Sequence, residues 1–314
     1  MEMVFLPKTL KINLRKRMYR KIKLNSWIAL ISAMIGMLFA MLASEEYFIE
    51  NPSEGKGRNE ENSAWTSLRF FVSLTTIVLL FCIVNHYKLN LGYNKAKEWV
   101  DHTTTLWSSG QVKWLISEMI ICSIHSPPFV NFTWTEEQQT EELTYSLDTI
   151  FTMIILIRCY WLLRVFTVYS YWNSEDTEKV LNEWRIFGGR TFAIKWELKE
   201  RPYMILLVSI LTSMFIFGFA LRSAEIPYMA VSGQDWTYLW HSIWCIIITM
   251  TTVGYGDFYP LTYVGRGIGV WACFLGTFLI SLMIVSLTIS VQFTINQQSA
   301  YKEAVQYCEK VNNK

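Results

Sequence analysis

Apolar and polar positions along this chain are grouped in long blocks rather than alternating residue by residue. Six apolar blocks stand out, at about 27–43, 67–84, 112–124, 147–168, 202–221 and 263–289. Most approach the ~20 residues that carry a helix across the hydrocarbon core of a bilayer. The third is shorter and partly polar. A further apolar, tryptophan-bearing stretch at 236–250 lies between the last two blocks. The pattern predicts an all-α membrane protein, with six transmembrane helices and a re-entrant helix. Irregular backbone at membrane depth is tolerated only when it is buried in protein or lines water. The segment after residue 250 sits where that condition can be met.

Charge placement adds orientation. Lys8, Lys11, Arg15, Lys16, Arg17, Arg20, Lys21 and Lys23 precede the first block. The next connection is rich in glutamate, from Glu45 to Glu61. Lys88, Lys95 and Lys97 follow the second block, and the loop with Glu136, Glu137, Glu141 and Glu142 carries no Lys or Arg. Basic residues return between the fourth and fifth blocks. Lys/Arg-rich and Lys/Arg-poor loops thus alternate, which predicts cytoplasmic termini and a multi-pass protein of the plasma membrane. The first block is read as a helix rather than a cleaved leader, because no small-residue cleavage site follows it. Its basic flank is a topology signal that could also meet anionic lipid head groups. Asn131-Phe132-Thr133 is a glycosylation sequon in a loop predicted to be extracellular.

The chain is 52% hydrophobic over 314 residues, which argues against a soluble enzyme, and its net charge of +2 offers no case for nucleic acid. The six cysteines are scattered, mostly inside apolar blocks, without the spacing of a zinc site or disulfide framework. The four histidines have no metal spacing. No nucleophile–base pair or phosphate-cradling glycine loop appears, so no enzyme is expected and no metal beyond a permeant ion.

The most specific chemistry is the run Thr251-Thr252-Val253-Gly254-Tyr255-Gly256-Asp257. It contains Thr-Val-Gly-Tyr-Gly, the known filter loop of potassium channels, whose carbonyl oxygens replace the hydration shell of K⁺. A cation stripped of water needs carbonyls that all point one way. That requires alternating backbone handedness, and Gly254 and Gly256 reach φ > 0 without steric cost. The predicted coordinating set is Thr252, Val253, Gly254, Tyr255 and Gly256, with Asp257 at the outer mouth. Trp244, ten residues before Gly254, is placed to brace the filter by hydrogen bonding toward Asp257. One such loop cannot encircle an ion, so four copies are expected, as a homotetramer or heterotetramer.

Three further groups of residues bear on gating. Gly276 lies mid-way along the sixth block, either as a hinge or as a point of close helix packing. Ile284, Leu287 and Val291 share one helical face, either as a hydrophobic constriction or as lipid-facing residues. The fourth block carries only Arg158 and Arg164, with neutral Trp161 and Thr167 in the same three-residue register. Two arginines cannot supply steep voltage dependence, which needs several charges per subunit. They are expected near an acidic partner such as Glu118, facing protein rather than lipid.

The third block and its exit, Glu118-Met-Ile-Ile-Cys-Ser-Ile-His125-Ser-Pro127-Pro128, followed by Asn131-Phe-Thr-Trp-Thr135, resemble those of small-conductance calcium-activated potassium channels. So do the fourth block, with arginines six apart, and the long connection from 171 to 201. The resemblance covers about residues 25–300. It implies two cytoplasmic helices in that connection, on which calmodulin acts to open the gate when calcium rises. The chain has no EF-hand loop of its own, so calcium would act only through a bound partner. Trp184, Phe187, Phe192 and Trp196 are candidate calmodulin anchors, or else pack against the membrane or a neighbouring subunit.

Three features depart from the family pattern. The filter reads Thr-Val where the family has Ser-Ile. The end of the sixth block lacks the family's Arg-Lys pair. The sequence stops at Lys314, about where the family's calmodulin-binding region would begin. The sequence is then a shortened one, or another subunit carries the sensor, or calcium gating is absent. The expected division is a basic N-terminus at 1–25, four sensor-like helices at 26–170 and linker helices at 171–201. A pore domain at 202–292 and a C-terminal segment at 293–314 complete it. The expected function is a potassium-selective channel, calcium-activated through calmodulin and largely voltage-independent. The alternatives are a weakly voltage-gated potassium channel and a non-conducting regulatory subunit.

Overall fold

A computed structural model describes residues 8–50, 63–130, 133–138, 141–170, 177, 180–181, 183–184, 190–292 and 295–312. The first two helices, α1 (Lys8–Glu50) and α2 (Ser63–Ala96), run well beyond the apolar blocks that predict them. Their ends are polar, and the helices continue past the hydrocarbon length. The two pack along each other. Gly36 makes this possible, because a Cβ there would lie 2.6 Å from the Thr75 hydroxyl.

The third apolar block forms α3 (Gln111–Ser123), a helix of 13 residues. At 1.5 Å per residue it is about 20 Å long, short of the ~30 Å hydrocarbon core. It is the shortest of the six expected spans. Five helical stretches among the described residues are long and apolar enough to cross, at Asn13–Glu46, Ala64–Ala96, Leu147–Tyr169, Pro202–Ser232 and Tyr263–Val291.

The acidic loop after α3 contains an antiparallel hairpin, β1 (Thr133–Gln138) and β2 (Glu141–Ser146), with Thr133 opposite Ser146. The sequence reading did not expect it. β2 runs directly into α4 (Leu147–Ile155), where the Ser146 hydroxyl caps the first turn by accepting from the Asp148 amide. The fourth span is not one continuous α-helix. A 3₁₀ stretch, Leu156–Cys159, separates α4 from α5 (Tyr160–Tyr169). Tightening to three residues per turn brings residues three apart onto one face. Arg158, Trp161, Arg164 and Thr167 are all buried.

The connection to the second half ends in α6 (Arg190–Glu200), then α7 (Pro202–Glu225) starts with proline in its first turn, where its missing N–H costs nothing. A short helix, α8 (Leu239–Met250), begins later than the 236–250 expected, with Trp236 buried ahead of it. Next come α9 (Tyr263–Val291), capped by the Thr262 hydroxyl, and α10 (Ile295–Asn312). Helices α7, α8 and α9 share one core around Leu221, Trp236, Ile246, Met250 and Leu279. A second core joins α1, α2, α3 and α5 around Leu79, Ile83, Cys122 and Trp161. The two units meet where Phe219 and Ala220 of α7 pack on Met37, Val72 and Leu156.

Candidate functional site

The chain turns sharply at the end of α8. Thr251 continues it as a cap, its amide donating to Ile247 O at 2.9 Å. The Thr252 amide donates to Thr249 O (3.1 Å). The amides of Val253 and Gly254 both donate to Ile248 O, at 2.9 and 3.1 Å. These donors satisfy helix-end carbonyls that would otherwise be orphaned. They also turn the N–H groups of the loop back into α8. Among the described residues no donor reaches the carbonyls of Thr252 to Gly256.

Handedness alternates along the loop. Thr252 (φ 60°), Gly254 (φ 61°) and Gly256 (φ 79°) are left-handed, with the residues between them on the ordinary side. Alternation of this kind swings successive carbonyls toward one side. Glycine bears it freely, but a β-branched residue at positive φ costs roughly 1–3 kcal/mol, and such strain gathers at functional sites. The sequence reading placed left-handed geometry at the two glycines and missed Thr252. Val253 and Tyr255 are 52% and 68% exposed in this single chain.

The loop is braced from behind. The Trp244 indole N–H donates to Asp257 Oδ2 at 2.8 Å, and its ring stacks on Tyr255 with centroids 5.8 Å apart. The Phe258 amide donates to Asp257 Oδ1 at 3.0 Å. The hydrogen bond from Trp244 holds the Asp257 carboxyl below the usual carboxylate range. Asp257 thus keeps its negative charge beside the mouth of the loop.

Two buried charges that sequence reasoning did not single out complete the support. Glu225, fully buried at the end of α7, accepts from the amides of Leu261 (3.2 Å) and Thr262 (3.0 Å) and from the Thr262 hydroxyl (2.8 Å). It ties the segment leaving the loop to α7. Arg222, one turn earlier, donates to the carbonyls of Trp236 (3.1 Å) and Thr237 (2.7 Å) and pairs with Glu45 of α1. It fixes the approach to α8 and clasps it to the first unit. A charge at the edge of an apolar block was the available signal for both.

Gly276 is buried where α9 crosses the end of α8. A Cβ added there would lie 2.6 Å from Met250 Cβ and 2.7 Å from Met250 Cα. Of the two readings of this glycine, the tight approach matches close packing. Ile284, Leu287 and Val291 lie further along α9 and are exposed in the single chain.

In the first unit the Glu118 carboxylate receives Arg164, the Tyr160 hydroxyl and the Tyr87 hydroxyl, the last at 2.8 Å. Arg158 is met differently. Its Nη2 donates to Thr76 Oγ1 (3.0 Å) and to the carbonyls of Cys122 (2.8 Å) and Ile124 (3.4 Å). Both guanidiniums are directed into protein. The exit of α3 is pinned by Arg69, which donates to Ser126 Oγ (2.9 Å) and Val130 O (2.9 Å), pairs with Asp148 and lies over the Trp65 ring. Of the linker aromatics, Phe192 and Trp196 form a tilted pair on α6 with centroids 5.8 Å apart, and Trp184 is 75% exposed in a turn. Phe187 and the sequon residue Asn131 lie outside the described residues.

A re-entrant helix, a loop of alternating handedness and flanking membrane helices define a multi-pass ion channel subunit of the pore-loop class. Residues 203–295 match a family profile described as ion channel, and residues 11–133 match one described as calcium-activated SK potassium channel. The chain is 25% identical, over 90% of its length, to a small conductance calcium-activated potassium channel protein of Drosophila melanogaster, covering 30% of that protein. It is 32% identical, over 42% of its length, to the voltage-gated potassium channel regulatory subunit KCNG3 of Homo sapiens, covering 34% of it. The first part of the chain is thus similar to small-conductance calcium-activated potassium channels and the last part to ion channels. The chain spans about a third of the length of these curated relatives.

Proposed function

We propose that four copies of this chain form a potassium-selective channel, with the carbonyls of Thr252, Val253, Gly254, Tyr255 and Gly256 coordinating the ion. The observation that carries this reading is the alternating handedness from Thr252 to Gly256, with the amides of Thr252, Val253 and Gly254 turned back into α8 and away from the carbonyl strip. Asp257 adds negative potential that concentrates cations at the entrance. Burial within the chain supports assembly about a centre outside it. Only 17% of the apolar window of α9 is buried, against 56% for α1. The helix next to the filter is the least covered, as expected if other subunits complete its surroundings. On this reading Ile284, Leu287 and Val291 line the inner pore and gate it by dewetting.

The opening stimulus is calcium, sensed by calmodulin at the linker bearing Trp184, Phe187, Phe192 and Trp196, with both termini cytoplasmic in the plasma membrane. Voltage plays little part, because Arg158 and Arg164 are the only candidate gating charges of the fourth span. A second reading, a non-conducting regulatory subunit, draws on the likeness to a protein described as a voltage-gated potassium channel regulatory subunit. Potassium flux through the purified chain in liposomes, with sodium as the comparison ion, decides between the two. Open probability at fixed voltage, with calcium stepped from nanomolar to about ten micromolar in the presence of calmodulin, tests the calcium stimulus. Flux absent from a folded tetramer sinks the conducting reading. An unchanged open probability sinks the calcium one.

A further inference from the structure

A cavity of about 460 Å³ opens between α2, α3, α5 and α6, at the end of the first unit where α2 finishes and α3 starts. Its size falls in the ~300–1,000 Å³ range of small-ligand pockets. Each helix contributes one face at helical spacing. Tyr87 and Asn90 come from α2, Gln111, Trp114 and Glu118 from α3, and Tyr160 and Arg164 from α5. Ile194 of α6 also lines it, so an occupant touches the linker that leads to the pore unit.

The charges at the inner end cancel. Glu118 and Arg164 form an ion pair, and both phenols donate to the carboxylate. A ligand with net charge of either sign gains little from such a pair. A ligand carrying both signs a few ångströms apart can complement it. The Tyr87 ring already lies under the Arg164 guanidinium, which leaves the rings of Trp114 and Tyr160 to favour an organic ammonium. The side-chain amides of Asn90 and Gln111 can donate to phosphate oxygens. Depth points the same way. Glu118 lies seven residues into α3, about 10 Å from its start. Trp107 and Trp114, 79% and 72% exposed, flank that start. Such tryptophans sit at the level of lipid head groups. Leu163, 56% exposed, continues the cavity wall toward the hydrocarbon.

We propose that this cavity binds the zwitterionic head group of a membrane phospholipid, with its ammonium against Trp114 and Tyr160 and its phosphate toward Asn90 and Gln111. The inference rests on the multi-pass placement of the chain and not on ion conduction.

The test uses the full chain in nanodiscs with phosphatidylcholine carrying a photoreactive head group, and the phosphatidylglycerol equivalent in parallel. Labelled peptides are mapped by mass spectrometry. Labelling by the choline lipid is expected on the segments bearing Trp114 and Tyr160. Trp114→Ala is expected to lower it about two- to fivefold, the worth of one exposed cation–π interaction. Trp114 is too exposed for that change to unfold the chain. Trp107→Ala, equally exposed and outside the cavity, is expected to leave labelling unchanged. Labelling by phosphatidylglycerol that equals or exceeds the choline signal overturns the proposal. Equal losses from both tryptophan variants, or labelling confined to other segments, also overturn it.

Discussion

Replacing Gly276 by alanine puts a methyl group where α9 meets the last residue of α8. The added Cβ lies 2.6 Å from Met250 Cβ and 2.7 Å from Met250 Cα, and ordinary van der Waals separation begins at 3.4 Å. The helices must therefore part by about 0.8 Å, and because one clashing atom is backbone, no rotamer change avoids it. Overpacking of this kind costs roughly 1–3 kcal/mol. Alanine recovers about 1 kcal/mol of helix propensity, leaving a net cost of up to about 2 kcal/mol in each subunit. Thr251 follows Met250 directly, so the displacement is passed into the filter loop. The expected outcome is a tetramer that still assembles, with a lowered thermal midpoint and K⁺-over-Na⁺ flux in liposomes reduced at least tenfold. Met250→Ala added to the variant should restore stability only in part, since the clash with the backbone of residue 250 remains. Wild-type selectivity together with an unchanged midpoint would refute the packing argument and favour a hinge at Gly276.

Glu225→Ala removes the acceptor of two amides and a hydroxyl. Hydrogen bonds to a charged group are worth ~1.5–3 kcal/mol each, so the variant should lose assembled channel or show an unstable filter, while Glu225→Gln should rescue it partly; a tetramer of normal thermal stability and flux with alanine would count against the clamp. Asp257 titrates below the ordinary carboxylate value near 4, so its charge is present above that value and lost only as pH falls through the lowered one. Acidifying the outer side from pH 7 to 5 should then leave inward K⁺ current nearly constant. Trp244→Phe should move acid inhibition to higher pH, and identical proton titrations of the two would argue against the hydrogen bond. Glu118→Gln strands the Arg164 charge in a buried site, a change that costs ~3–5 kcal/mol. Thermal unfolding of the purified variant checks this, with Glu118→Gln combined with Arg164→Gln expected to recover much of the loss.

Much of the helical order is legible in the sequence because bilayer thickness sets a length and apolar runs reveal it. The pore loop is legible for a different reason, since few residue combinations tolerate alternating handedness. Helix ends are another matter. Lys8 and Ala96 are helical well outside any apolar block, and only packing against neighbours decides how far such ends extend. The hairpin was hidden because its strands carry Glu136, Glu137, Glu141 and Glu142, which disguise the alternation of Trp134 with Thr133 and Thr135 and of Leu143 and Tyr145 with Thr144. The partners of Arg222 and Glu225 were illegible because each joins residues far apart in sequence. Glu118 with Arg164 was readable because both stand inside apolar blocks, where an isolated charge needs a partner.

The burial of the fourth span also bears on gating. A sensor charge must be free to travel, because work from the field scales with charge moved, about 2.3 kcal/mol per charge per 100 mV. Arg164 is held by a carboxylate that also binds two phenols, and Arg158 is docked on two carbonyls and a hydroxyl. Trp161 fills the position between them and is completely buried. Sliding the helix by one three-residue step would bring an indole to the place of a guanidinium and strand both charges away from their partners. Breaking a buried ion pair alone costs ~3–5 kcal/mol, more than two charges crossing a fraction of the field at 100 mV would return. The fourth span is therefore built to stay in place. An opening force is better delivered at α6, which is joined to the end of α5 through the hydrogen bond from Ser170 to Glu197 at 3.0 Å and leads directly into α7.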